Sequence, residues 1–328
     1  MSGGRNITFD MMKGVGILLV IIGHVAHGYG LYPVIYVFHM PLFFIVSGYF
    51  YKPKHPSVLF KRDVKLLLLP YCLVAFLILM YGATMALVKH DISKFTYWLE
   101  AFLYAGVPEP TISSLWFLLA MFWCRMIYNL LNVYILEGLT RYKQVLLGVI
   151  TLLIFVLAVK FIPIECNYYC WVIGLSSMFF YMIGHAAKLS DLHISQTNSV
   201  LFVILGFFCL YLSRGDVEMH MNRFDCLLLN IIAAVSVTYF IYWVCARCKE
   251  VKIGKWLAWF GRYSLATYCI HSFMFMIVPM HMAIMTIVPS CDELVVSGGV
   301  TLLHIVLSVL FCLLVERVRV LRVVFNIK

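Results

Sequence analysis

The chain has 328 residues, of which 63% are hydrophobic and only 12% charged, with a formal net charge of +10. Soluble domains carry about 25% charged residues and cannot hide this much apolar surface, and a disordered chain needs many charges and few aromatics, whereas 16% of this one is aromatic. What remains is an all-α integral membrane protein crossing the bilayer many times, in which an excess of Lys and Arg marks cytoplasmic loops and not nucleic-acid binding.

A helix needs about 20 apolar residues to cross the hydrocarbon core. Charge, Pro and Gly divide the chain into ten expected spans, near residues 10–29, 32–51, 66–88, 113–134, 144–162, 170–189, 199–213, 226–246, 263–288 and 299–316. The second and third contain Pro41 and Pro70, which neighbouring helices can accommodate. The first run is too long, too polar and too poor in small residues at its end to read as a removable signal peptide. With no repeat and no linker, residues 1–328 are expected to form one membrane domain. If the N-terminus is inside, 19 of the 25 Lys and Arg fall on inner segments, including Lys61, Arg62, Lys65 and the tail from Arg317 onward. That bias puts both termini in the cytoplasm; the expected location is the cell (inner) membrane. Between the third and fourth spans, Ile92, Phe95, Trp98, Leu99, Phe102 and Leu103 recur at helical spacing, as in an interfacial helix or an ordinary packed loop.

Ionisable groups inside a membrane are costly, so each is a functional candidate. The first span holds Asp10, Lys13, His24 and His27 in an otherwise apolar run. Eleven helical steps from Lys13 to His24 end about 20° past three full turns, so the two share a face about 16 Å apart along the axis. Asp10 is one turn before Lys13, close enough to pair with it. The second span adds His39, placed in the same outer half as His24, where the two imidazoles can meet. Arg125 lies within the fourth span and must be ion-paired or line a wet cavity. Trp116 stands near the outer surface, as a sugar-stacking platform or part of the aromatic belt. His271, His185 and His304 are further buried histidines, for which packing is the ordinary role. No carboxylate or thiolate accompanies His24, His27 and His39 at ligand spacing, so no metal is expected.

Phe9-Asp10-Met11-Met12-Lys13 with His24 resembles the Arg/Lys-x10-His signature of the acyltransferase 3 family. The segment from Phe38-His39-Met40-Pro41 to Ser47-Gly48-Tyr49, the cations Lys61-Arg62 and Lys65 before Leu69-Pro70-Tyr71, Leu115-Trp116-Phe117-Leu118 with Arg125, and Phe260-Gly261-Arg262-Tyr263-Ser264-Leu265 through Tyr268 and His271 are similar to four further blocks, in family order. The nearest branch is that of fucose 4-O-acetylase-like sugar acetyltransferases. The resemblance implies transfer of an acetyl or other acyl group from acetyl-CoA to a saccharide or glycolipid hydroxyl, with membrane lipid around the protein and no nucleic-acid partner. Two departures stand out. Lys13 takes the place of an Arg common in relatives, a point charge for a bidentate fork. The extra soluble domain that some relatives carry has no counterpart.

Neutral imidazole suits a base that activates a sugar hydroxyl near neutral pH. His24 is therefore expected to be the base or an acyl carrier, and His39 to orient the acceptor or assist proton transfer. Lys13, Lys61, Arg62 and Lys65 are expected to hold donor phosphates, and Asp10, Arg125, Trp116 and His271 to lie at the substrate channel. A transporter is the competing reading, since intramembrane His, Lys and Arg also mark transport pathways. An acyltransferase with a non-sugar acceptor is a third. Most of the eleven cysteines read as small hydrophobes, while Cys166, Cys170, Cys226 and Cys291 sit where an outer disulfide can form.

Overall fold

The computed structural model describes residues 6–25, 32–104, 115–136, 142–190, 196–213, 217–277 and 292–327. Their helices are α1 (Ile7–Val25), α2 (Tyr32–Tyr49), α3 (Pro56–Lys89), α4 (Ser93–Tyr104), α5 (Trp116–Ile135), α6 (Lys143–Phe161), α7 (Trp171–Leu189), α8 (Gln196–Ser213), α9 (Leu227–Cys248), α10 (Lys252–Arg262), α11 (Ser264–Ile277), α12 (Glu293–Arg317) and α13 (Arg319–Val324). The only strands among the described residues are β1 (Val217–Glu218) and β2 (Arg223–Phe224), a two-residue antiparallel pair after α8. The all-α membrane class read from composition holds.

Eight described helices are long and apolar enough to span a bilayer, against the ten expected. The two that fall short coincide with the seventh and ninth expected spans: the apolar part of α8 is Val200–Ser213, and α11 covers only the first half of 263–288, whose remainder from 278 lies outside the described residues. The third span begins earlier than its apolar run does. α3 is continuous from Pro56 through a π-helical turn at Val64–Leu68 to Lys89, so Lys61, Arg62, Asp63 and Lys65 are helical and not loop residues. Between the eighth and ninth expected spans, the chain forms the amphipathic helix α10. The spacing over 92–104 does form a helix, α4.

The bundle is graded from centre to rim. The buried share falls from 67% in α2 and α7 to 28% in α12 and 22% in α6, so α6 and α12 turn most of their surface to lipid. α1 packs on α2, α10, α11 and α12, and α7 on α2, α5 and α6. Glycines set the tightest contacts. A Cβ on Gly48 of α2 would run into the carbonyl of Tyr181, and one on Gly184 of α7 into that of Ile45. This reciprocal pair lets two backbones approach as small residues allow in membranes, where dispersion and not water drives helix association.

The start of α1 and the helix α13 lie at one end of the bundle. Lys13, near the start of α1, shares a cavity wall with Arg62 of α3, and Arg62 shares a groove with Arg319 and Arg322 of α13. This is the basic end. α1 then carries His24 toward the opposite end, about three turns beyond Lys13.

Candidate functional site

Two cavities occupy the centre, one toward each end. The first, of about 320 Å³, opens at the basic end, with Lys13, Lys52 and Arg62 at its polar margin and Ile17, Phe43 and Leu118 on its apolar walls. The second, of about 250 Å³, is lined by His24, His39, Tyr36, Trp116, Glu218 and His220, among others. Val20, Met40 and Tyr268 line both. They form a common wall between a cationic chamber and one rich in imidazoles and aromatics.

Lys13 and Asp10 pair as their spacing predicts, Nζ to Oδ1 at 2.7 Å, with Asp10 the more buried of the two. Arg62 and Lys65 line a further groove of about 560 Å³ with Arg319 and Arg322. Lys61 is exposed on the same helix and lines none of these spaces, so the structure does not gather all four cations expected to act together.

Arg125 meets both halves of its expectation: it lines the basic-end cavity, and it is ion-paired. Its Nε and Nη2 donate to Asp63 Oδ2 and Oδ1 at 2.7 and 3.0 Å, and Nη1 donates to Ser47 Oγ at 3.2 Å. Asp63 is fully buried. Sequence reasoning missed it, because it sits between Arg62 and Lys65 in what read as a basic loop. Nearby, Tyr51 donates to Asn129 Oδ1 at 3.0 Å and accepts from Asn132 Nδ2 at 2.8 Å, while the Tyr128 hydroxyl meets His185 Nδ1 at 2.7 Å. His185 thus has the packing and hydrogen-bonding role expected of it.

His24 and His39 do line one cavity, but their hydrogen bonds lead apart. His39 is buried, and its Nδ1 lies 2.8 Å from the Ile35 carbonyl one turn back. A carbonyl only accepts, so Nδ1 carries the proton and Nε2 the lone pair. His24 Nδ1 lies 2.9 Å from Nε2 of His271. His271 is fully buried behind it, has its second nitrogen 3.0 Å from His304, and lines neither cavity. It supports His24 and does not face the channel expected for it. His27 lies outside the described residues.

Trp116 lines the second cavity, with Phe117 edge-on beside it. The loop after α8 supplies Glu218 and His220, which no sequence motif singled out. β1 holds Glu218 in place, and the Tyr32 hydroxyl donates to Glu218 Oε1 at 3.2 Å. Cys166, Cys170 and Cys226 are unbridged, so the outer disulfide is not formed among them, and Cys291 lies outside the described residues.

Residues 6–317 match the acyltransferase domain that defines the acyltransferase 3 family. A stretch of 59 residues is 42% identical to nodulation protein NolL of Sinorhizobium fredii, covering 15% of this chain and 16% of that protein. No solved structure matches the chain. With the family match running over nearly the whole helical bundle and eight described helices long and apolar enough to cross a membrane, the chain belongs to the acyltransferase 3 family.

Proposed function

We propose that the protein moves an acetyl group from acetyl-CoA, entering at the cytoplasmic basic end, to a hydroxyl of a saccharide or lipid-linked glycan held in the His24 cavity. The observation that carries this reading is the pair of cavities meeting at Val20, Met40 and Tyr268. A donor with anionic phosphates and a long, weakly polar thioester arm suits a cationic mouth and apolar walls. Lys13, Arg62 and Lys65 supply the phosphate-seeking charge. The axial rise of about 16 Å from Lys13 to His24 is the distance the arm has to cover.

The second cavity suits a polyhydroxylated acceptor. Trp116 and Tyr36 offer flat apolar faces, and Glu218, His220 and His39 offer acceptors and donors for hydroxyls. His39 Nε2 accepts a hydrogen bond from an acceptor hydroxyl and so orients the sugar. His24 Nε2 takes the proton of the attacking hydroxyl as its oxygen bonds to the acyl carbon, and the carbon–sulfur bond then breaks with the electron pair leaving on sulfur. Because Lys13, Arg62 and α13 share one end, that end is the cytoplasmic one in this reading, and the membrane is the inner cell membrane.

The test is purified protein in detergent with acetyl-CoA and a saccharide acceptor, following free thiol release and acceptor mass. Wild type yields one thiol per acetyl ester. His24→Ala loses at least about 10²-fold, the usual contribution of a positioned base, while retaining the wild-type elution volume. Near-normal acylation by that variant refutes the assignment of His24. Acylation of a non-sugar acceptor alone refutes the acceptor class.

A further inference from the structure

Three helices contribute three imidazoles that stand in line behind the second cavity. His24 Nδ1 of α1 is 2.9 Å from His271 Nε2 of α11, and His271 Nδ1 is 3.0 Å from His304 Nδ1 of α12. The first two rings are nearly parallel, 22° apart, with centroids 5.1 Å from each other, and the second pair of centroids is 5.0 Å apart. His271 and His304 are 0% and 2% exposed. These rings bond nitrogen to nitrogen, and among the described residues no group of three or more His, Cys, Asp or Glu is arranged to hold a metal ion.

The bonding pattern restricts the protons. Each neutral imidazole has one N–H and one lone pair, and each nitrogen–nitrogen contact holds one proton. Only two neutral arrangements satisfy both contacts. In one, His24 donates from Nδ1 to His271 and His271 donates from Nδ1 to His304, which leaves the lone pair of His24 on Nε2. In the other every bond is reversed, and His24 Nε2 already carries a proton. Only the first lets His24 act as a base.

We propose that His271 and His304 are positioning residues of a proton relay that keeps His24 in its basic tautomer and stores the acceptor's proton during acyl transfer. The inference rests on the reading of His24 as the base. When the acceptor O–H bond breaks, its proton bonds to His24 Nε2. The His24 Nδ1 proton moves to His271 Nε2, and the His271 Nδ1 proton moves to His304 Nδ1, so the positive charge comes to rest on His304. The O–C bond has formed and the C–S bond has broken. The reverse shift then returns each proton by one place, and the Nε2 proton of His24 bonds to the thiolate sulfur. No further reactant is consumed. A carboxylate in the position of His271 would orient His24 equally well, but it would bring a permanent charge into a bilayer. Neutral imidazoles avoid that cost and still carry a transient charge away from the reacting atoms.

The experiment is His271→Gln in the full-length protein with acetyl-CoA and saccharide acceptor. The Gln amide oxygen can still accept from His24 Nδ1 and hold its orientation, but it cannot pass a proton on. The relay predicts a fall in kcat of at least about 10²-fold with the acetyl-CoA KM changed by less than about threefold. It also predicts that a multi-proton solvent isotope effect in wild type becomes a single-proton one, and that His304→Gln shows the same change in isotope effect. Activity of His271→Gln within about threefold of wild type overturns the relay. Should that variant not fold, nitrogen-15 spectra of histidine-labelled wild type decide. Nδ1–H on His24 together with Nε2–H on His304 supports the proposal, and Nε2–H on His24 overturns it. A wild type that acylates no saccharide refutes the acceptor reading, whereas an active wild type with an equally active His271→Gln refutes the relay alone.

Discussion

Asp63→Ala is expected to be among the most damaging single substitutions in the protein, although Asp63 faces neither substrate chamber in the proposed reaction. Its carboxylate accepts two bonds from Arg125, at 2.7 and 3.0 Å, and the side chains are 0% and 12% exposed. Removing it leaves a guanidinium inside the bundle with Ser47 Oγ at 3.2 Å as the remaining partner in the cluster. Breaking a buried pair from one side costs about 3–5 kcal/mol, and two unit charges 4 Å apart at an effective dielectric of 20 attract by about 4 kcal/mol, so the two routes to the magnitude agree. The effect is asymmetric. Arg125→Met leaves a carboxyl that can take a proton and become neutral, whereas the guanidinium left by Asp63→Ala cannot shed its charge. Asp63→Ala should therefore cost more than Arg125→Met, and the double variant should recover most of the loss. The assay is thermal unfolding in one fixed detergent, read as a double-mutant cycle with wild type. A cost for Asp63→Ala below about 1 kcal/mol, the range of solvent-exposed pairs, refutes the argument. So does a double variant no more stable than Asp63→Ala.

The α2–α7 contact offers a test of packing alone. Gly48→Ala drives a methyl into the Tyr181 carbonyl and should cost about 1–3 kcal/mol, while Gly298→Ala, with nothing within 4 Å of the added methyl, should leave the unfolding temperature unchanged. Equal effects from the two would show that α2 and α7 are not held at backbone distance. On the proposed reading, Lys13→Gln at the basic end removes one charge-assisted phosphate contact, of about 1.5–3 kcal/mol. The KM for acetyl-CoA should rise at least about tenfold with that for the acceptor unchanged, and steady-state kinetics with each substrate varied in turn will show whether the change falls on the acceptor instead.

What the sequence made legible is what repeats along one helix. Asp10, Lys13 and His24 are related by turns of α1, so their pairing and shared face follow from 3.6 residues per turn, and the apolar runs located most of the spans. What stayed hidden depends on pairing between helices. Asp63 read as one acidic residue among loop cations, because its apolar run begins only at Leu66 and nothing local shows that the helix reaches back to Pro56. The partner that explains it, Arg125, is 62 residues away. His271 and His304 lie 247 and 280 positions after His24, so spacing could not align them. Glu218 and His220 sit in a short turn between helices, where no periodicity reports which way a side chain faces.

The distribution of charge gives the two cavities their division of labour. Asp10 answers Lys13, and Asp63 answers Arg125, so the charges nearest the centre are largely cancelled where they stand. The wall shared by the cavities is Val20, Met40 and Tyr268, none of which carries charge. On the proposed reading, the donor's phosphates therefore gain nothing by advancing past the basic end, while its acyl thioester, which is uncharged, loses little by doing so. Beyond that wall α1 and α2 bring His24 and His39 to the second cavity, residues that can be neutral at rest and take up a proton when chemistry supplies one. On the proposed reading, a membrane protein that needs a base at that depth can keep one there because its charge exists only during the reaction, and the line of His271 and His304 gives that transient charge a place to go.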